Sequence, residues 1–341
     1  MTRIDSEIDY LKPKLDVKDK KILDILSENS KIPINLLAKK VEISRDVANY
    51  KLKRLQTLGI IEKFTLRVDF RKLGYNTYHV FLMIDESKGE KKLLEKLKKM
   101  DEVLFIFEYS DKWDIEIVLI AKNVRELDKI VSKLQAEFKD TIMEREELLE
   151  INTYQSLVFS YYFNKDLSRL KFALNEGDNY GSAKVDSYDL KIIKLLSENS
   201  RKSTYDLAKE IPLSADAIGL RIKKMVQERI IKKFTILANF SVLGCSWYTF
   251  CIKMRAFDEN TEQRFRQFIE HHPGIMRAAK TFGEYDVLMY IMVENTKEFH
   301  KLIKEIKSNF SDIVKNYASY VAYKEHYFCS IPEVLLIKDK K

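Results

Sequence analysis

The sequence predicts an α+β chain in which a helical unit and a strand-containing unit alternate, each occurring twice. Three observations lead to this class. The 341 residues contain a long internal repeat, the first part of each repeat spaces its apolar residues as helices do, and the second part adds short apolar strands to amphipathic helices. With 45% hydrophobic residues and only 9 Gly and 5 Pro, the chain can fill several cores and leaves little irregular structure.

The repeat has two parts. DKKILDILSENSK at residues 19–31 returns as DLKIIKLLSENSR at residues 189–201, an offset of 170 that gives 22 identities over residues 18–74. Further on, WDIEIVLIAKN (113–123) matches YDVLMYIMVEN (285–295) at an offset of 172. We therefore predict four domains and a linker that holds Gly, Asn and Asp near its end. The domains are residues 15–70, 75–160, 185–240 and 245–332, and the linker is residues 161–184.

The first domain has the apolar spacing of three helices followed by a short hairpin. The helices lie at about residues 16–29, 33–41 and 44–58, and the hairpin lies near residues 60–70. Pro33 is typical of a helix start and Ser44 is typical of an N-cap. Three helices with a short turn between the second and third, followed by a hairpin, form a winged helix-turn-helix.

The second domain alternates strands and helices in the order βαββαβ. The strands lie at about residues 75–84, 103–109, 114–121 and 142–152, and the helices at about residues 89–99 and 123–139. The later copy repeats the order, with strands near residues 245–256, 275–282, 285–293 and 312–325 and helices near residues 260–271 and 296–308. This order is typical of a ferredoxin-like domain, in which two helices cover one face of an antiparallel sheet.

Charge and composition restrict the possible functions. Residues 10–60 hold 12 Lys/Arg against 6 Asp/Glu and residues 184–233 hold 12 against 7, so positive charge is concentrated where a polyanion could bind. No apolar run reaches the roughly 18 residues of a membrane span, and the three scattered cysteines indicate no disulfide framework. We expect a cytoplasmic chain with no membrane partner, metal site, cofactor or catalytic residue.

Several motifs resemble those of one family. The segments LDVKDKKIL (15–23), LAKKV (37–41), KLKRL (51–55) and LGII (58–61) resemble the DNA-binding domain of Lrp/AsnC transcriptional regulators, and FGEYDVLMYIMVE (282–294) is similar to the strand entry of their effector-binding domain. The resemblance implies a regulator of double-stranded DNA with an amino acid or other small effector, either a homo-oligomer or an intrachain pseudo-dimer. The sequence departs from the family at Glu42 and Pro212, where a turn usually holds Gly, and in SDKWD (110–114), which lacks Gly.

The third helix of each copy is the candidate DNA-binding element, because a recognition helix places its N-terminal residues in the major groove. In the first copy the candidates are Ser44, Arg45, Asp46, Asn49, Tyr50, Lys53 and Arg54. In the second copy they are Ser214, Arg221, Lys223 and Lys224. Arg45 suits guanine and Asn49 suits adenine, whereas the lysines suit phosphates.

The second copy has Ala215 in place of Arg45 and Gly219 in place of Asn49. We therefore predict that the first copy reads the base sequence and the second copy anchors the DNA backbone. The alternative for any single residue is a solvated helix face.

Gly283, Tyr285 and Asp286 are the candidate effector-binding residues. Gly283 would let a ligand approach the backbone, and the Asp286 carboxylate could bind an ammonium group. The alternative is a turn glycine followed by a strand-capping aspartate. Asp114, which has no such glycine beside it, is expected to be structural.

Two other functions stay open. One is an architectural DNA-binding protein with little sequence preference. The other is an enzyme similar to the sirohaem decarboxylases, because HHPGIMRAAKTF (271–282) resembles their HPGV segment. Met276 and Arg277 stand where we would expect a histidine of those enzymes, so we expect a regulator and not an enzyme.

Overall fold

A computed structural model describes residues 3–6, 12–158, 183–255 and 257–337. The predicted linker, residues 161–184, lies outside the described residues except for its last two positions. Within the described ranges, no helix is long and apolar enough to cross a membrane. In the same ranges no group of three or more His, Cys, Asp or Glu side chains could hold a metal ion.

The described elements follow the same order in the two halves of the chain. The first half contains α1 (Val17–Glu28), α2 (Ile34–Val41), α3 (Arg45–Thr57), β1 (Ile61–Val68), β2 (Asn76–Ile84), α4 (Glu90–Leu97), β3 (Val103–Tyr109), β4 (Ile115–Ala121), α5 (Val124–Glu137) and β5 (Ile142–Ser156). The second half contains α6 (Ser187–Glu198), α7 (Thr204–Ala208), α8 (Ala215–Gln227), β6 (Ile231–Ala238), β7 (Ser246–Met254), α9 (Glu259–His271), β8 (Ile275–Phe282), β9 (Val287–Val293), α10 (Thr296–Asn309) and β10 (Val314–Phe328). The predicted α+β class is confirmed.

Side-chain caps explain where the helices of the helical units begin. The Asp16 carboxylate accepts from the backbone N–H of Asp19, and the Asp19 carboxylate accepts from the N–H of Asp16. Asp186 and Asp189 make the same reciprocal pair at the start of α6. Ser44 caps α3. Each cap satisfies N–H groups that a helix leaves without an internal partner.

Glu42 occupies the turn between α2 and α3 with φ of 63°, a left-handed conformation. Such a conformation favours glycine, which explains the residue usual at this turn. The Glu42 carboxylate lies 3.3 Å from Lys21 Nζ and 3.7 Å from Lys18 Nζ. Two lysines of α1 therefore form ion pairs with the residue that replaces the usual glycine.

The strand that follows each helical unit pairs with its counterpart from the other unit. β1 and β6 form a two-stranded antiparallel ribbon in which Thr65 lies opposite Thr235. The prediction of a hairpin within residues 60–70 is therefore wrong. A strand-like pattern in the sequence does not specify which strand will be the partner. Since Thr65 and Thr235 are equivalent residues of the repeat, a pseudo-two-fold axis passes between them.

The same axis joins the helical units to the ribbon. Ser30 Oγ and Ser200 Oγ lie 2.7 Å apart, and both side chains are buried. The N–H of Ser30 donates to Phe234 O and the N–H of Ser200 donates to Phe64 O, each at 3.0 Å. The two helical units are therefore held as a symmetric pair within one chain.

The two strand-containing units close a single antiparallel barrel. Its strand order is β10-β3-β4-β2-β5-β8-β9-β7, so each unit keeps the ferredoxin-like order of its own four strands. The units join where β5 pairs with β8 and where β10 pairs with β3. Closure removes the strand edges that two separate sheets would expose.

Helices cover the outside of the barrel. Leu93 of α4 and Leu127 of α5 pack with outward residues of the first sheet such as Ile117. Phe265 of α9 and Leu302 of α10 belong to the equivalent core of the second sheet. The inward strand residues form a further core with residues of the ribbon and the helical units. The barrel interior and the ribbon therefore share one continuous apolar core.

Candidate DNA and ligand interfaces

Helix α3 has one buried face and one face open to solvent. Its buried residues are Ala48, Leu52 and Leu55. Its exposed or half-buried polar residues are Arg45, Asp46, Asn49, Tyr50, Lys53 and Arg54. Within the described part of the chain, no hydrogen bond or ion pair involves the side chains of Arg45, Asn49 or Lys53. The start of α3 therefore presents donors and acceptors that are available to an external partner.

Helix α8 keeps the buried side but presents a different surface. Ser214 caps this helix as Ser44 caps α3, and Lys223 and Lys224 are exposed. A Cβ added at Gly219 would lie 3.8 Å from Thr204 Cγ2, which is ordinary van der Waals contact. Packing therefore leaves room for a side chain at Gly219. The surface of α8 keeps its cations but lacks the two groups that suit base edges.

Arg54 and Arg221 are engaged within the chain. Arg54 Nη1 lies 3.0 Å from Asp19 Oδ2. Arg221 Nη1 lies 2.7 Å from Asp186 Oδ2 and 2.8 Å from Asp189 Oδ1. These ion pairs tie the third helix of each unit to its first helix. A structural role accounts for both arginines, and their contact with phosphate stays a prediction.

The turn between β8 and β9 packs closely on β5. Gly283 has φ of 148°, and a Cβ there would lie 2.6 Å from Glu147 O and 2.7 Å from Leu148 Cδ2. The equivalent residue of the first copy is Asp111, whose Oδ2 accepts from the N–H of Val321 at 2.8 Å. One turn therefore needs the absence of a side chain, whereas the other uses a side chain to bind β10.

Asp286 and Asp114 make the same contact in the two copies. Asp286 Oδ2 accepts from the N–H of Met254 at 2.7 Å, and Asp114 Oδ2 accepts from the N–H of Ile84 at 2.6 Å. This is the strand-capping alternative for Asp286 and the structural role expected for Asp114. Tyr285 is half-buried and packs against the inner core of the barrel. The three candidate effector residues thus lie in one turn, where one Asp286 oxygen is bound by Met254 and the other lies 3.9 Å from Lys253 Nζ.

A buried polar network inside the barrel is not predicted by the sequence patterns. The Glu116 carboxylate accepts from His79 Nδ1 at 2.7 Å, from the Tyr290 hydroxyl at 2.7 Å and from the Tyr109 hydroxyl. His79 Nε2 lies 3.8 Å from Glu150 Oε2. A polar residue at an inward position of an otherwise apolar strand, such as Glu116 in IEIVLIA, is the signal that would have indicated it.

The network carries paired charge in the core. Burial lowers the pKa of His79, but the carboxylates of Glu116 and Glu150 outweigh burial and raise that pKa above its usual value. Burial and the neighbouring Glu116 raise the pKa of Tyr109 and of Tyr290 well above the usual range. Both phenols therefore stay protonated and donate to the carboxylate. The Glu116 carboxylate thus has three donors, whereas His79 Nε2 is buried without a hydrogen-bond partner among the described residues.

Comparisons with known proteins give consistent results. Residues 15–62 match a model described as winged helix-turn-helix DNA-binding, residues 185–226 match the AsnC-type helix-turn-helix domain, and residues 249–329 match the Lrp/AsnC ligand binding domain. The HTH-type transcriptional regulator LrpA of Pyrococcus horikoshii is 34% identical over 120 residues, which are 35% of this chain and 84% of LrpA. An uncharacterized HTH-type transcriptional regulator of Pyrococcus furiosus is 35% identical over 128 residues, 37% of this chain and 85% of that protein.

Among solved structures, the siroheme decarboxylase NirDL has a TM-score of 0.64 at 13% sequence identity, and the match covers 94% of this chain and 98% of that chain. At this identity the likeness concerns the fold alone.

Proposed function

Because the chain belongs to the Lrp/AsnC family of transcriptional regulators, we propose that it binds an asymmetric DNA site in which α3 reads base edges and α8 holds the backbone. The chain is a DNA-binding transcriptional regulator with a small-molecule-binding domain. The proposal adds a division of roles between its two recognition helices. It rests above all on the loss, in α8, of the Arg and Asn that α3 presents at its start.

The paired arrangement that such a regulator needs is present within one chain. The ribbon relates α3 and α8 by the pseudo-two-fold axis between Thr65 and Thr235. A dimer of identical chains would present two identical recognition helices, and its preferred site would be palindromic. Two different helices on the same axis favour a site whose halves differ. Association into a larger homo-oligomer stays a prediction.

We also propose an amino acid or a similar small molecule as the effector, bound at the turn of Gly283, Tyr285 and Asp286. The turn lies inside the segment that matches the Lrp/AsnC ligand binding domain. The equivalent turn of the first copy has Asp111 in place of Gly283, so we expect no more than one such site in each chain. Calorimetric titration of the full chain with the common amino acids checks this, and two equal sites would contradict it.

In vitro selection from a pool of randomised duplexes tests the division of roles. The full chain should enrich one motif in which one half-site is strongly specified and the other half-site is weakly specified. A palindromic motif would contradict the assignment of α8. No enriched motif at all, together with binding that weakens steeply as salt rises, would favour an architectural DNA-binding protein.

A further inference from the structure

A cavity of about 1130 Å³ lies where the ribbon meets the barrel. Its walls come mainly from β1 and β6 of the ribbon and from inward residues of the barrel strands, and residues of α1, α9 and α10 complete them. The volume exceeds the usual range of small-molecule pockets, about 300–1,000 Å³, so an amino acid would fill only a small part of it. The cavity is separate from the turn of Gly283, which does not line it.

The lining differs between the two halves of the repeat. Arg67 of β1 corresponds to Leu237 of β6, and Arg277 of β8 corresponds to Phe105 of β3. All four residues line the same cavity. A symmetric pair would present either two cationic walls or two apolar walls. This chain places two arginines on one wall, where Arg277 is ion-paired with Glu150, and aromatic rings on the other, where the Arg3 guanidinium lies 5.0 Å from the centroid of Phe105. We call these the cationic wall and the apolar wall.

The cationic wall is built around Arg67. Its guanidinium donates to Ser156 Oγ and to Leu157 O, and Ser156 lies opposite Arg277 in the pairing of β5 with β8. Burial, together with the positive charges of Arg277 and Arg3, lowers the pKa of Arg67 to about 10. In the part of the chain that the structure describes, no carboxylate lies within ion-pair distance of Arg67. A bound anion would supply the countercharge that Arg67 lacks.

The apolar wall is aromatic. Phe105 and Phe107 stack with ring centroids 6.0 Å apart, and Phe107 stacks with Trp247 at the same distance. All three line the cavity. The indole N–H of Trp247 is buried and finds no acceptor among the described residues. This wall therefore suits a flat apolar body and offers one hydrogen bond to an acceptor on it.

We propose that the cavity binds one amphipathic organic anion per chain, with its acidic group at Arg67 and its apolar body against Phe105, Phe107 and Trp247. Such a ligand would touch both the ribbon that joins the helical units and the inner wall of the barrel. This ligand is chemically distinct from the amino acid proposed for the turn of Gly283. A negative result at one of the two sites therefore leaves the proposal for the other site unaffected.

Two fluorescent probes of matched shape test the site. 8-Anilinonaphthalene-1-sulfonate carries an anionic group, and N-phenyl-1-naphthylamine has the same ring system without charge. We expect the full chain to bind one sulfonate probe per chain. Arg67→Leu, which places the residue of the other copy at this position, should weaken that binding by about tenfold or more, the worth of a charge-assisted contact. Binding of the uncharged probe should change less than about twofold, because its partners are apolar.

Two further variants complete the experiment. Arg67→Gln removes the charge but keeps a donor for Ser156 and Leu157, so it gives the same test if Arg67→Leu does not fold. Arg125→Leu removes an exposed arginine of α5 and should leave both probes unaffected. The proposal is overturned if the sulfonate binds Arg67→Gln as tightly as it binds the unaltered chain, if it binds at several equal sites, or if Arg125→Leu weakens it equally.

Discussion

Ser30 and Ser200 meet as identical residues across the pseudo-two-fold axis, whereas Arg45 on α3 corresponds to Ala215 on α8. The same contrast recurs at other positions of the two copies. Thr65 faces Thr235 on the axis. Away from the axis many equivalent residues differ, as in Asn49 and Gly219, Arg67 and Leu237, His79 and Thr249, and Asp111 and Gly283.

The position of a residue relative to the axis explains the contrast. A contact on the axis joins each copy to its own equivalent, so both copies must suit the same geometry. A residue on a recognition helix, in a turn or in a cavity wall occurs once in each copy and makes no contact with its equivalent. In a dimer of separate identical chains such residues would still be forced to match. Covalent duplication therefore permits asymmetry at the surfaces that bind other molecules.

The largest expected effect concerns the turn of Gly283, which differs from the equivalent turn of Asp111 in the first copy. Gly283→Ala places a Cβ 2.6 Å from the backbone oxygen of Glu147 at a φ of 148°. The substitution should lower the free energy of unfolding by about 3 kcal/mol or more, because neither the backbone nor β5 can move away easily. Chemical denaturation followed by circular dichroism measures the loss.

Gly74→Ala is the matched control for that measurement. Gly74 has φ of 80°, and no atom of the described residues lies within 4 Å of the added Cβ. Gly74→Ala should lower the free energy of unfolding by about 1 kcal/mol, which is the cost of the backbone conformation alone. Equal losses at the two glycines would show that the packing of the turn on β5 contributes nothing, and would remove the difference between this turn and that of Asp111.

The second effect concerns the two recognition helices. Arg45→Ala or Asn49→Ala should weaken binding to the preferred duplex by roughly 10-fold to 100-fold and leave binding to unrelated duplexes almost unchanged. Lys223→Ala should weaken binding to all duplexes by a similar factor and reduce the salt dependence by about one phosphate contact. Fluorescence anisotropy over a range of salt concentrations separates the two patterns. The same loss of preference from both helices would contradict the division of roles.

A gain-of-function variant sharpens the same comparison. Ala215→Arg combined with Gly219→Asn gives α8 the two groups of α3, and the space beside Gly219 accepts a side chain. The variant should shift the selected motif toward a palindrome. A variant that binds DNA with an unchanged asymmetric motif would show that these two positions do not specify the half-site.

The fold was largely predictable because its information is local. Apolar spacing predicted the helices and strands, and the repeat predicted that they occur twice. The partners of the strands were not predictable, since β1 pairs with β6 across 170 residues and a strand pattern is the same whichever strand it meets. Closure of the two sheets into a barrel depends on the same kind of long-range pairing.

Only the local features of the candidate DNA interface and of the cavity could be predicted from the sequence. The exposed face of α3 follows from helix geometry once its buried residues are known. The ion pairs of Arg54 and Arg221 with the first helix depend on how two helices pack, which spacing within one helix does not reveal. The cavity with Arg67 and Arg277 combines residues that lie 210 positions apart in the sequence.

A smaller effect concerns Asp24 of α1, whose equivalent in the second copy is Lys194. Burial and the carboxylate of Glu28 raise the pKa of Asp24 to about 7, although Lys233 opposes the shift. The folded chain therefore binds a proton at Asp24 more tightly than the unfolded chain. Its contribution to stability is lost as the pH rises from about 4 to about 7.

Asp24→Asn should therefore stabilise the chain more at pH 8 than at pH 5, by roughly 1–2 kcal/mol. Urea denaturation at the two pH values measures the difference. Asp140→Asn, at an exposed position after α5, should show no such dependence. A stabilisation by Asp24→Asn that is equal at both pH values would mean that the charge of Asp24 is not the cause.

The smallest effect tests the axis itself, where the two copies agree. Removing one hydroxyl of the Ser30 and Ser200 pair leaves the other buried without its partner, so Ser30→Ala or Ser200→Ala alone should cost about 1 kcal/mol. The double variant should cost no more than either single one, which gives a coupling energy of about 1 kcal/mol in a double-mutant cycle. Ser27 and Ser197 form the control pair, since each hydroxyl donates to a carbonyl of its own helix and their losses should simply add. Additive losses at Ser30 and Ser200 would mean that the two copies do not depend on each other at the axis, and the constraint that explains their agreement there would be absent.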